Sequence, residues 1–552
     1  MNEIVPRRVA IVGGSGVFGS RLAELLVRDG HHVTVMGRRR APLEAVATKH
    51  GVHYAVVDLR ASPLSIFDHA PDAVVDAAGP FQTYGADYAL PRLCIERGVH
   101  YIDLSDDARF TQGIEALDPM AKAAGCSAVS GASSVPGLSS VVITQLAEGL
   151  ERLELIESAI VPGNRAPRGV SVIAAILGQL GQVSQVWRGG AQRDAIGWTD
   201  RRRVVLAKGL RRWAYFIEVP DIKLFPQHFA ARSVMFRAGM ELGLLNHSLA
   251  LIAAIRRRIA FSFPPWLLRL VRFLAALTYP LGSDRGGMRV AVIGYDGDRA
   301  VRREWRLIAE AGDGPYIPAV TARSILRRLE QTAPGARPCL AEVTLTEITA
   351  AMADLKVTTE IDETPAVTVF QRCLGPDWDR LAKPLRRLAR VYDLEVFDGV
   401  AQVERGNSLP VRVLSWFIGF PQAGADIPLK VTKTRIDDFE RWERDFDGQR
   451  FHSRMGPAQD QGRCVEAFGL FRFELDLSVG DGGALEYSMG RGWFWLIPLP
   501  RWLLPTCAAR EWDEGGVFQF VVALTAPLRA GLIVRYRGHL QPSDEASDIP
   551  AR

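Results

Sequence analysis

In 552 residues there are only six cysteines, Cys94, Cys126, Cys339, Cys373, Cys464 and Cys507, and none forms a C-x-x-C pair. Spacing this wide speaks against a disulfide framework and against a structural zinc site, and a reducing cytoplasm is the expected compartment. A strong charge of either sign is missing too. The formal net charge is +5 and the pI about 8.9, so nothing in the overall balance favours nucleic acid as a partner. The eight residues before the first apolar run hold no h-region, and no signal peptide is expected. No apolar run reaches the ~18 residues of a membrane-crossing helix. Ser133-Ser134 lacks a G-x-S-x-G setting, which argues against a serine hydrolase. A Tyr-x-x-x-Lys pair of the short-chain dehydrogenase kind is also absent after the fifth expected strand. What is left, 48% hydrophobic and 23% charged residues, reads as a soluble globular chain long enough for two to four domains.

The informative stretch is Arg8 to Arg40. Val9-Ala10-Ile11-Val12 reads as a buried strand, followed by Gly13-Gly14-Ser15-Gly16-Val17-Phe18-Gly19. A helix pattern follows, with Phe18, Leu22, Leu25 and Leu26 on one face. Asp29-Gly30 closes it, and His32 to Met36 is a second strand. This order is that of a dinucleotide-binding βαβ unit, in which glycines let the backbone approach a pyrophosphate at a helix N-terminus. Two glycine registers fit, Gly14-x-Gly16-x-x-Gly19 and Gly13-x-x-Gly16-x-x-Gly19, and spacing does not choose between them. Gly13, Gly14, Gly16 and Gly19 are the expected phosphate contacts, with Ser15, Val17 and Phe18 adding backbone contacts. Where an NAD site usually carries an acid to hold the ribose 2′-OH, this chain has Gly37-Arg38-Arg39-Arg40. A guanidinium binds a 2′-phosphate through paired hydrogen bonds, so Arg38, with Arg39 second, points to NADP rather than NAD. A solvated basic turn is the alternative.

Further strands are expected at Ala55–Val57, ending in Asp58, and at Ala73 to Asp76, running into Ala77-Ala78-Gly79-Pro80. Asp58 could reach the adenine or cap the next turn, and Ala78, Gly79 and Pro80 leave room for ribose and nicotinamide. After Phe81 to Gly85 a helix begins near Asp87. Val99 to Ser105 and Ser127 to Ser130 complete six strands alternating with helices, a doubly wound parallel sheet. Three of these segments, Ala78-Gly79-Pro80-Phe81 with Gly85, Cys94 through Ser105, and Pro136-Gly137-Leu138, closely resemble, together with the fingerprint, the saccharopine dehydrogenase-like NAD(P)-binding domain. The resemblance spans about the first 140 residues. It implies hydride transfer to or from C–N or C=C bonds, in substrates ranging from amino acids to polyketide lipids. It also implies an inserted α/β domain that carries the substrate site and a homodimer contact.

Residues 141–365 fit that insertion and the return to the sheet, with Gly335 to Leu345 resembling the returning portion. A basic zone, Arg201-Arg202-Arg203, Lys208 and Arg211-Arg212, lies among alternating apolar residues. Two apolar segments within 246–281 stand out, Ser248 to Ile255 and Trp266 to Leu277. The second places Arg269 and Arg272 on one face opposite a wide apolar arc. Packing in a dimer or domain contact is the preferred reading, and peripheral membrane contact is the alternative. Thr358 to Pro365 reads as a polar joint, and a boundary is set there.

From 366 to 541 the pattern becomes aromatic-rich and strand-like, as in Phe471 to Leu477 and Phe518 to Val522. Arg441 to Phe446, Glu466 to Gly469, Pro498 to Pro505 and Gly531 to Gly538 resemble an uncharacterised bacterial domain that often follows a saccharopine dehydrogenase-like region. A mostly antiparallel β domain or open barrel, able to hold an apolar ligand, is expected. A purely structural or oligomerising domain is the other reading. Residues 542–552 are polar and expected to be disordered.

For a proton donor, Tyr101 and Asp103 share one face at the expected nicotinamide end of the fifth strand, and Tyr84 has similar standing. A buried tyrosine and a loop cap are their structural alternative. The expected function is an NADP-dependent oxidoreductase acting on a small-molecule or lipid-like substrate, in the cytoplasm or associated with a membrane. A non-catalytic NADP-binding or membrane-peripheral lipid-binding protein is the runner-up.

Overall fold

The computed structural model describes residues 4–543 except 87, 168, 260, 262–272, 274–276, 410, 413–417 and 529–530. The chain divides into two compact units, Met1–Trp187 with Gln192–Gly297 and Val301–Thr364, and Arg188–Ala191 with Asp298–Ala300 and Pro365–Arg552.

The first unit is built on a seven-stranded parallel sheet. Its strands are β1 (Arg8–Val12), β2 (His32–Gly37), β3 (His53–Val56), β4 (Ala73–Asp76), β5 (His100–Asp103), β6 (Ser127–Ser130) and a late strand, Gly335–Pro338. The spatial order is Gly335–Pro338, β6, β5, β4, β1, β2, β3, every neighbouring pair being parallel. The apolar run of β1 and the four buried positions of β4 suit strands covered on both faces. Strand order reverses between β1 and β4, which is where such sheets bind ligands, beyond the strands' C-terminal ends.

Helix α1 (Val17–Arg28) follows β1 and buries Gly19, Leu22, Ala23, Leu25 and Leu26. The expected stripe is confirmed except at Phe18, which is half-buried while Gly19 takes the contact. Asp29 caps the helix and receives two guanidinium groups from the helix Ile317–Arg327, Arg323 at 2.7 and 2.8 Å and Arg327 at 2.7 and 2.8 Å. Arg323 also donates to Ala351 O and Asp354. Both Asp29 and Arg323 are almost wholly buried, so each charge depends on the other for compensation.

The rest of this unit forms a second, mixed sheet in the order Arg202–Ala207, Leu210–Phe216, Val234–Ala238, Arg152–Val161, Gly286–Asp296, Arg299–Ala309, Val357–Pro365. The basic zone is the antiparallel hairpin of its first two strands, where buried Arg212 pairs with Glu241 at 2.9 Å. Val170–Gln179 is a helix. Residues 358–365, expected as a polar joint, instead form the sheet's edge strand. Its polarity follows from the edge position, since Glu363 pairs with Arg303 at 2.8 Å and Asp362 with Arg306. Gly243–Arg256 is a helix exposing Leu244 and Leu251, and Arg256 donates to the carbonyls of Leu177, Gly178 and Leu180. Most of the Trp266 to Leu277 segment lies outside the described residues. Among those described, no helix is long and apolar enough to cross a membrane.

The second unit is a closed antiparallel barrel. The strands of its ring, in chain order, are Leu394–Arg405, Gly424–Ile436, Phe439–Phe446, Gln449–Pro457, Arg463–Phe468, Phe471–Val479, Leu485–Phe494, Thr506–Glu514, Val517–Ala526 and Gly531–Pro542, and short Ile497–Leu499 pairs with the end of Leu485–Phe494. Leu394–Arg405 pairs with Gly531–Pro542, and pairing of Phe471–Val479 with Leu485–Phe494 closes the ring. The period-two alternation read in Phe471 to Leu477 and Phe518 to Val522 turns aromatic and leucine side chains inward. The polar tail, residues 544–552, lies outside the described residues.

Asp29→Ala would remove the carboxylate shared by Arg323 and Arg327 and leave buried Arg323 with Asp354 alone, a loss of about 1–3 kcal/mol. Urea unfolding should show that loss, and a smaller one for Arg327→Ala, whose side chain is partly solvated.

Candidate nucleotide site

The turn after β1 is shaped by contact. Gly13 has φ +74°, and a Cβ there would sit 2.5 Å from Ala78 Cα, so the turn lies directly on the loop that follows β4. A Cβ on Gly19 would lie 2.5 Å from Gly13 O, and one on Gly16 3.1 Å from the same oxygen. Gly13, Gly16 and Gly19 thus pack against one another around the turn. Gly14 serves a different end, since its Cβ would strike Val35 at 2.6 Å. The N–H groups of Gly13 and Gly14 both donate to Met36 O, at 2.9 and 3.1 Å, and tie the turn to β2. Gly16 is the N-cap of α1 and offers no side-chain cap. The first-turn amides, which a helix leaves without intrahelical partners, therefore point into the switch-point crevice beside Ser15, Val17 and Phe18.

Arg38 and Arg39 follow β2 and stand exposed, and among the described residues neither forms an ion pair. Arg39 is the N-cap residue of α2 (Arg40–His50), and Arg40 reaches Tyr54 Oη at 3.4 Å. Asp58 is exposed and accepts the N–H of Arg60 at 3.0 Å, a hydrogen bond that caps the turn. Ala78, Gly79 and Pro80 are half-buried beside the glycine turn, with Gly79 at φ +45°.

The structure departs from expectation at Tyr101 and Asp103. Both are fully buried within β5. Asp103 accepts from Ser105 N at 2.9 Å, Ser130 Oγ at 3.0 Å and Gly131 N at 2.8 Å, and so holds the turn after β6. Tyr101 packs into the core beneath the aromatic group Phe81, Tyr84, Tyr88 and Phe110. Neither presents an atom to a ligand. Period-two spacing told which face they occupy, while depth depends on helices packed from elsewhere.

A residue given no role at the sequence level lies at the centre. Asp76, fully buried at the end of β4, is the register neighbour of Asp103. It accepts the N–H of Ala78 at 2.9 Å and the hydroxyl of half-buried Tyr84 at 3.4 Å. Burial, reinforced by the Asp103 charge and opposed by the Ala78 hydrogen bond, pushes Asp76 up to about 7. Burial lifts Asp103 to about 6 against its three donors. The available signal was an acid ending an otherwise wholly apolar strand at the switch point. Asp221, in the helix Pro220–His228, is likewise buried beside Ser139 and is pushed up to about 8 by desolvation. No metal-binding cluster occurs among the described residues.

Comparison with known proteins agrees with this geometry. Residues 9–129 match the family model of the saccharopine dehydrogenase NADP binding domain. Residues 381–540 match that of a domain of unknown function, DUF4166. The N-terminal segment is thus a saccharopine dehydrogenase-type nucleotide domain, and the barrel falls in an uncharacterised family. Saccharopine dehydrogenase (L-Glu forming) from Saccharomyces cerevisiae is similar over 64% of this chain and 100% of its own, with 14% identity and a TM-score of 0.47. GenD2 from gentamicin A biosynthesis, in complex with NAD, is similar over 55% and 73%, with 14% identity and a TM-score of 0.28. Among curated proteins none matches. The domain match supports an oxidoreductase that uses a nicotinamide cofactor.

Because the folded state holds Asp76 protonated above its unfolded range, its contribution is fully favourable at pH 4 and is lost as pH rises toward 7. Asp76→Asn mimics the protonated form. Its stability relative to the parent should therefore rise between pH 4.5 and 7.5, as read by urea unfolding at both values.

Proposed function

We propose that the protein is an NADP-dependent oxidoreductase that delivers hydride to a C=N or C=C bond of a small-molecule or lipid-like substrate. The observation that carries the cofactor choice is the end of β2, where exposed Arg38 and Arg39 replace an acid and have no carboxylate partner among the described residues. A carboxylate there would repel a 2′-phosphate, whereas a guanidinium binds it through two parallel hydrogen bonds.

The glycine turn suits a dinucleotide cradle, because a Cβ on Gly13 or Gly19 would lie 2.5 Å from a backbone atom and only glycine lets the turn pack this tightly. A bound nicotinamide nucleotide would supply the hydride. The chain's own part is to hold it. Amides of Val17 and Phe18 would face the diphosphate, the Gly16 N–H being given to Gly13 O at 2.8 Å, and Ala78 to Pro80 would flank the ribose without crowding it. An imine or enone that accepts hydride also needs a proton. With Tyr101 and Asp103 enclosed, Tyr84 is the candidate left among the three, its hydroxyl set against Asp76. The same enclosure favours a second reading, NADP held without turnover. Loss of label from stereospecifically tritiated NADPH in cell extract supports turnover, and complete retention supports binding alone.

Arg38→Asp should weaken NADPH by about ten- to a hundredfold, the worth of a charged bidentate contact of roughly 1.5–3 kcal/mol, while NADH changes little. Fluorescence titration of both cofactors reads this directly, and equal losses for the two would end the NADP assignment.

A further inference from the structure

The barrel encloses a cavity of about 520 Å³. That is the size of a small-molecule site. Its wall is largely apolar, with Phe420, Phe473, Met489 and Leu524 among the lining residues. Its two ends differ. At one, the helix Val369–Leu374 sets Phe370 against inward-facing Trp442, ring centroids 6.0 Å apart. Buried Lys433 fills the same end, with Nζ 3.8 Å from the Trp442 ring centroid and donating to Leu388 O at 3.0 Å. That end is closed. At the other, Phe494, Ile497 and Leu503 line the cavity and are also exposed, so the cavity reaches the surface there. Around this opening Trp495, Leu496, Ile497 and Trp502 are 68, 77, 62 and 64% exposed, an apolar collar at the surface.

Polarity is confined to the inner part of the cavity. Arg444 donates to Ser453 Oγ at 2.9 Å and to Glu466 at 3.3 Å. Tyr487 is buried, and its hydroxyl completes no hydrogen bond of ordinary geometry although the Glu511 carboxyl lies beside it. On the strand Leu485–Phe494, Tyr487 lies seven residues from Phe494 at the opening, about 23 Å at ~3.3 Å per residue. Arg444 is balanced by Glu466, and Lys433, set against the Trp442 ring, by the carboxyls of Glu440 and Glu511 that face it. A charged head group would bring an uncompensated charge to this depth. A hydroxyl or carbonyl would instead find donors and acceptors in Tyr487, Arg444 and Glu511.

We propose that the barrel binds an apolar, lipid-like molecule carrying one uncharged polar group, which enters head first through the Phe494–Leu503 opening and lodges that group between Tyr487, Arg444 and Glu511. The apolar tail runs back past Phe473 toward the collar. This site is independent of the nucleotide reading.

The test uses the full chain and N-phenyl-1-naphthylamine as the reporter. Saturable 1:1 fluorescence enhancement is expected, with displacement by 1-dodecanol at least tenfold more effective than by dodecanoate or dodecylamine. Ala509→Trp and Val522→Trp, which fill the cavity, should each weaken the reporter tenfold or more while retaining the parent circular dichroism. Should either fail to fold, hydrogen exchange of the unaltered chain with and without dodecanol replaces it, and protection is expected in 485–494 and 506–524. No saturable enhancement, equal displacement by the charged amphiphiles, folded cavity-filled variants that bind as the parent does, or dodecanol protection confined elsewhere would each overturn the proposal.

Discussion

The backbones of Gly13 and Ala78 meet so closely that a single added carbon would lie 2.5 Å from its neighbour. Much of the nucleotide half depends on this approach. It lays the turn after β1 on the loop after β4 at the point where strand order reverses, and it aims the N-terminus of α1 into the crevice between them. The loop must in turn be held still, and Asp76 does this by accepting the Ala78 N–H from beneath the sheet edge. Its burial and its raised proton affinity follow from that position. Asp103 repeats the device one strand along, bracing the turn after β6. The two buried acids each hold a turn at the C-terminal end of the sheet.

The units solve burial in different ways. In the first, distant segments are joined by charge. The carboxylate that ends α1 is clamped by Arg323 and Arg327, nearly three hundred residues later, and Arg323 goes on to Ala351 O and Asp354. Such a seam contributes little net stability compared with an apolar contact, yet losing one partner costs much, so it specifies where the returning helix must sit. In the second, closure of the hydrogen-bond ring leaves no edge at the seam, and inward residues fill one end of the barrel while leaving the other hollow.

Legibility in the sequence tracked the range of the interactions involved. Strands β1, β4 and β6 are short apolar runs bounded by glycine or polar residues, and the signal is contained within each run. The barrel strands alternate strictly enough that their inward face could be read from Phe471 to Leu477 alone. Residues 358–365 could not be read in this way. As an edge strand they satisfy their charges with arginines on a neighbour, and an isolated acidic stretch looks the same as a linker. Tyr101 and Asp103 failed for a related reason, because alternation assigns a face and says nothing of what covers it. Nor did the sequence say why each glycine is needed: Gly13 packs on Ala78, a partner sixty-five residues away, and Gly14 on Val35.

By itself the sequence determined the βαβ opening, the basic end of β2, the alternation of six strands with helices and a later antiparallel region, although its strands begin at Leu394, after the helices Val369–Leu374 and Lys383–Ala389, and not at 366. Each is a local property, set by periodicity, by glycine where a side chain would clash and by the sign of one short turn. Only the tertiary structure decided which glycine makes the turn, that Asp76 rather than Asp103 braces the Ala78 loop, and that the barrel is hollow with polarity at its inner end. Those depend on contacts between segments far apart in the chain, on burial that shifts proton affinity, and on the volume that packed side chains leave empty.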